Sequence, residues 1–151
     1  MATPPSPEGT LCSDTIALDK NAIVAFAARF DPQPYHLDAD VAEQSIFGGL
    51  CASGWHIAAM ATRLVSETLL RNGIPFAQMT SVSRLKWNQP TFVNEQISVR
   101  IALGTLDEDS PIAGTHSQIL EVDVCNEDGA VVAKMTATAA IARDPKLATA
   151  S

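Results

Sequence analysis

The chain has 151 residues, 46% hydrophobic and 18% charged, with a formal net charge of −7. That length suits one domain burying roughly two-thirds of its unfolded surface, and the acidic balance argues against nucleic acid, which needs clustered Lys and Arg, while leaving an anionic small ligand open. No run approaches the ~20 uncharged apolar residues of a membrane span, and Cys12, Cys51 and Cys125 are odd in number and widely spaced, which favours free thiols over a disulfide framework or zinc knuckle.

Residues 1–10, rich in Pro and Ser, read as a flexible N-terminal arm. They lack the basic start and apolar core of a secretory signal, so a cytoplasmic location is expected. A single domain over residues 11–143 and a C-terminal tail over 144–151 complete the division. A short strand is expected within residues 11–17. Asp19 can cap a helix carrying Ile23, Val24, Phe26, Ala27 and Phe30, which Asp31-Pro32 ends because a residue before proline is pushed out of the helical region. Asp38 can cap a second, short helix over residues 39–44.

The strongest helical signal spans residues 52–72, with Ser53 as N-cap and Gly73 as stop. Its first half, from Trp55 to Ala61, is apolar on nearly every side and is expected to be enclosed; Arg63, Ser66, Glu67 and Arg71 open the second half to solvent. Helix propensity alone favours alanine over glycine at position 54 by about 1 kcal/mol. From residue 76 the period becomes two. Ile97, Val99, Ile101 and Leu103 alternate with smaller or polar residues, as do Leu120, Val122 and Val124, and Val131 through Ala139 follow a Glu127-Asp128-Gly129 hairpin turn. Helices first and antiparallel strands after give an α+β class, a long central helix wrapped by a curved antiparallel sheet.

Chemistry concentrates in Asp31-Pro32-Gln33-Pro34-Tyr35-His36-Leu37-Asp38. Two prolines restrain an acid and an imidazole at a nearly set separation. A carboxylate that orients a water and an imidazole that shares its proton make a general acid-base pair. Spacing alone favours a plainer reading, with Asp31 as a turn residue, His36 as a satisfied surface histidine and the prolines as helix breakers. His56 is expected to be a hydrogen-bonded core histidine, His116 a strand-surface residue, and Cys51 a small hydrophobe rather than a nucleophile. His36, Asp38 and Asp40 lack a metal-ligand spacing, so no metal is expected.

This segment, followed by Phe47-Gly48-Gly49-Leu50-Cys51-Ala52-Ser53-Gly54-Trp55-His56, resembles the MaoC-like dehydratases, relatives of the R-specific enoyl-CoA hydratases. Leu85-Lys86-Trp87-Asn88-Gln89-Pro90 and Asn126-Glu127-Asp128-Gly129 are similar to later pieces of the same family, so the resemblance covers residues 15–142. It implies a hotdog fold and a homodimer or higher homo-oligomer. The implied activity is that of a hydro-lyase of fatty acid metabolism, acting on the C2=C3 bond of an acyl thioester with coenzyme A as carrier and no further cofactor. It also implies Asp31 and His36 as the catalytic pair and the Gly54 amide as the donor to the thioester oxygen, with Ser53 and Gln33 beside the substrate. Two departures mark a subgroup: Gln33 stands where the family usually has Asn, and Ser53-Gly54 where many members have His-Gly. The alternatives are a hotdog thioesterase, which commonly carries an acid on the central helix, where this chain has none before Glu67, and a silent acyl-binding partner subunit.

Overall fold

The computed structural model describes residues 9–146, and its elements follow from caps and alternation. After strands β1 (Thr10–Cys12) and β2 (Ile16–Ala17) comes helix α1 (Lys20–Phe30), where the Asp19 carboxylate accepts from the Asn21 N–H at 2.6 Å. Helix α2 (Pro34–Leu37) is a single turn. Asp38 accepts from the N–H groups of Asp40 and Val41 at the head of α3 (Ala39–Glu43). The long helix α4 (Gly54–Arg71) begins at Ser53 and ends in a tight wrap: Gly73, at φ 76°, donates to Leu70 O and Ile74 to Leu69 O.

Four twelve-residue strands follow, β3 (Phe76–Trp87), β4 (Gln96–Asp107), β5 (Thr115–Asn126) and β6 (Val131–Ala142). All pairings are antiparallel, in the order β1-β4-β5-β6-β3 with β2 also on β4, so β3 forms one border of the sheet. Asn126 shapes the β5–β6 turn by accepting on its side chain from the Asp128 and Ala130 N–H groups.

The single strand expected within residues 11–17 is two pieces. Between them Ser13 donates its N–H to Val99 O at 3.0 Å, while its hydroxyl accepts the Val99 N–H at 2.8 Å, so a side chain replaces a backbone group and the ladder slips by one residue. A second correction concerns α4. One stripe along its whole length, Ile57, Ala61, Leu64, Val65, Thr68 and Leu69, is buried against Ile97, Val99, Ile101, Leu120 and Val122 of the sheet. The first half is not enclosed: Trp55 is 59% exposed and Ala59 faces solvent. Alanines on that outer face are helix formers rather than core residues, and they mimic a buried pattern in the sequence. Among the described residues no helix is long and apolar enough to cross a membrane. Residues 1–8 of the expected arm and 147–151 of the tail lie outside the described residues, and Thr10 already belongs to β1.

Candidate active site

Asp31 closes α1, its N–H donating to Ala27 O at 2.9 Å before Pro32 turns the chain away. Of the restrained segment between it and His36, residues 31–33 belong to no helix and a helical turn begins at Pro34. Pro34 opens α2 at its first position, where a preset φ and a missing N–H cost the helix nothing, and the resulting turn carries His36 inward. His36 is only 7% exposed. Its Nδ1 lies 2.6 Å from the Cys51 carbonyl, and its Nε2 lies 3.6 Å from Asp31 Oδ2. A carbonyl can only accept, so Nδ1 carries a proton, and Nε2 is the ring nitrogen turned toward the carboxylate. At 3.6 Å these atoms are not directly bonded, but one water sitting off their line can reach both.

The Cys51 carbonyl is itself held from across the fold. Cys51 forms a β-bridge with Phe92, Ala52 N–H donates to Thr91 O at 2.9 Å, and Val93 N–H donates to Leu50 O at 3.2 Å. The Cys51 thiol, 3.8 Å from His36 Nδ1, is buried, and burial pushes its pKa up. A shielded, protonated thiol packs rather than attacks.

Ser53 is fully buried and does two things with one hydroxyl: it donates to Asp31 Oδ2 at 2.7 Å and accepts from the Trp55 N–H at 3.2 Å. It therefore stands behind Asp31 and joins the acid to the start of α4. The first N–H groups of a helix have no partner within it. Here Trp55 is served by Ser53 Oγ, and His56 and Ile57 reach Ser53 O, which leaves the Gly54 N–H without an acceptor among the described residues.

Asp31, His36 and Gly54 all line one cleft of about 420 Å³, with Tyr35, Trp55 and Trp87 among its walls. Gln33 does not line it. Gln33 is exposed, and its backbone shapes α2 by donating to Asp31 O and accepting from the His36 N–H. His56 points elsewhere too: its ring stacks on Phe26 at 4.7 Å, and its buried Nδ1 has no hydrogen-bond partner. The hydrogen-bonded core histidine expected there is thus a stacked one, whose burial lowers its pKa. Trp87, at the end of β3, belongs to the cleft although alternation marked it only as a strand residue; its signal was an aromatic directly before a polar pair and a proline. Among the described residues no three His, Cys, Asp or Glu side chains gather as a metal group.

The family model described as "MaoC like domain" matches residues 4–122. The chain belongs to the MaoC-like dehydratase family. Its fold is accordingly the hotdog fold, the α+β arrangement of a long helix on an antiparallel sheet. A MaoC-like dehydratase from Rhodospirillum rubrum is 34% identical, with a TM-score of 0.75 over 90% of this chain and 92% of that one. An (R)-hydratase from A. caviae involved in PHA biosynthesis is 21% identical, with a TM-score of 0.67 over 86% and 92%. A HadBC (3R-hydroxyacyl-ACP dehydratase) complex from Mycobacterium tuberculosis is similar at 14% identity, with a TM-score of 0.70 over 89% and 98%. Among curated protein sequences there is no match. In this MaoC-like chain the cleft brings Asp31, His36 and Gly54 together, keeps Ser53 directly behind Asp31 and leaves Gln33 outside.

Proposed function

We propose that the protein is an enoyl-thioester hydratase or 3-hydroxyacyl-thioester dehydratase, with coenzyme A as the carrier and Asp31 and His36 as its proton-transfer pair. The observation that carries this is the geometry around His36: the Cys51 carbonyl lies 2.6 Å from Nδ1 and Asp31 Oδ2 lies 3.6 Å from Nε2. A water bound to both is oriented by the carboxylate and gives a proton to the dyad as its oxygen bonds C3 of the enoyl group. Return of a proton from the dyad to C2 completes the 3-hydroxyacyl product and restores the dyad, and dehydration runs the same steps backward. As C3 is attacked, negative charge builds on the thioester oxygen. The unsatisfied Gly54 N–H, at the positive end of an eighteen-residue helix, is the donor for it.

Glu67, the first acid on α4, is exposed and paired with Arg63 at 2.8 Å, so it is not available as a thioesterase acid in the cleft. The active assembly is a homodimer through β3, whose outer backbone edge has no partner among the described residues. A turnover screen over enoyl-CoA and 3-hydroxyacyl-CoA thioesters, run alongside Asp31→Asn and His36→Ala, tests the reading. Interconversion of the two thioester types by the wild type, lost in both variants, is expected. A wild type that only hydrolyses thioesters, or equal turnover in all three proteins, refutes it.

A further inference from the structure

The space where a side chain at position 54 would stand is filled by the indole of Trp87. A Cβ there would lie 2.6 Å from Cε2, 2.7 Å from Nε1 and 2.9 Å from Cδ2 of that ring, closer than carbon atoms tolerate. The same ring donates its Nε1–H to the Gly54 carbonyl at 2.8 Å, and Trp55 packs edge-on against it with centroids 5.0 Å apart. An indole N–H can only donate, so an acceptor fixes the ring's rotation. The Gly54 carbonyl, with a second lone pair beyond the helix ladder, supplies one. Ring and helix end therefore lock each other: the bond sets where the first peptides of α4 lie, and the face of the ring leaves room for no residue but glycine.

We propose that Trp87 is a positioning residue, which holds the opening turn of α4 so that the Gly54 N–H meets the thioester oxygen, and that the ring, rather than the substrate, is what demands glycine at 54. This rests on the hydratase reading above. Donors to a developing oxyanion act within a few tenths of an ångström of about 2.9 Å, and a misplacement of about 1 Å costs on the order of 100-fold in rate. A helix start held only by Ser53 and the Cys51–Phe92 bridge has that freedom. The Trp87 clamp removes it.

The test is a double-mutant cycle on the best enoyl-CoA substrate with Trp87→Phe, Gly54→Ala and the pair. Phenylalanine keeps a ring in the cleft and deletes the donor. The expected result is a kcat about 10- to 100-fold lower in Trp87→Phe with KM within about twofold, since the bond acts through a transition-state contact. Because a methyl at 54 must already push the indole away, the double variant is expected to be no slower than Gly54→Ala alone. A wild-type kcat in Trp87→Phe, or losses that multiply in the pair, overturns the inference while leaving the hydratase reading intact. A wild type inert on every thioester overturns that reading and this role with it. Hydrogen exchange at the Trp87 indole reports on the clamp without turnover: slow exchange in the wild type and fast exchange in Gly54→Ala are expected, and fast exchange in the wild type overturns the proposal even if a variant fails to fold.

Discussion

Replacing Ser53 by alanine removes one hydroxyl and two bonds, and the two losses can be weighed separately. The N-cap bond to Trp55 is worth about 1 kcal/mol. The bond to Asp31 Oδ2, at 2.7 Å and to an ionised group, contributes about 1.5 kcal/mol, the low end for charged acceptors because that carboxylate is 24% exposed and water can partly substitute. Ser53 itself is 0% exposed, so water does not refill its side of either bond. The expected loss is about 2.5 kcal/mol, measurable by urea denaturation, or roughly 5–10 °C in Tm for a chain of this size. In an Asp31→Ala background only the cap remains to be lost, and the same substitution should cost about 1 kcal/mol. Turnover should also fall in Ser53→Ala, since the carboxylate loses the donor that orients it. A loss below about 0.5 kcal/mol, or an equal loss in both backgrounds, refutes the coupling of acid and helix start through this hydroxyl.

Asp31→Asn and His36→Ala should each lower kcat by at least ~100-fold, with smaller changes in KM and near-native circular dichroism; steady-state kinetics on an enoyl-CoA checks this. Light scattering at micromolar concentration should give at least twice the 16.0 kDa chain mass, and Val82→Asp, a charge on the exposed border strand β3, should reduce it to one chain. His56 supplies the pH dependence. Burial lowers its folded pKa, so its neutral form is the one the fold favours; this contribution is complete above the unfolded value of about 6.5 and is lost as pH falls through the folded value. His56→Phe, which keeps the stack on Phe26 and deletes the unpartnered Nδ1, should flatten the acid side of the stability curve when urea midpoints at pH 7.5 and 5.5 are compared.

Local chemistry was readable where a single residue type dictates it. Asp19, Asp38 and Ser53 cap helices as expected because short oxygen-bearing side chains suit free amides, and the alternation of Ile97, Val99 and Ile101 marks a strand with one buried face. Periodicity failed at α2, since four residues make barely one turn, and on α4, where alanines on an outer face look like core. In the cleft, Asp31 and His36 carried an ambiguous spacing, and it was the family resemblance rather than the spacing that singled them out. What no pattern could show is the backbone's part: the Cys51 carbonyl that selects the His36 tautomer and the Gly54 carbonyl that anchors Trp87 are present at every position of every chain. Ser53 was visible as a cap, but its bond to Asp31 spans 22 residues and depends on how α1 packs beside α4.

The bridge between Cys51 and Phe92 has a consequence for how the protein is assembled in time. Asp31, His36, Cys51, Ser53 and Gly54 all emerge early in synthesis, and the Cys51 N–H already reaches Tyr35 O at 3.4 Å, yet the bridge that ties residues 50–52 to residues 91–93 forms only when the latter arrive, and the bond to the Gly54 carbonyl waits for Trp87. A nascent chain ending before β3 therefore carries both residues of the proposed proton-transfer pair without that second tie. Lengthening or loosening the segment between β3 and β4, which contains no residue of the dyad, should slow the chemistry as surely as altering the dyad's neighbours. The β3–β4 connection thus serves the cleft as well as the sheet, since residues 91–93 within it hold the stretch of chain whose Cys51 carbonyl faces His36.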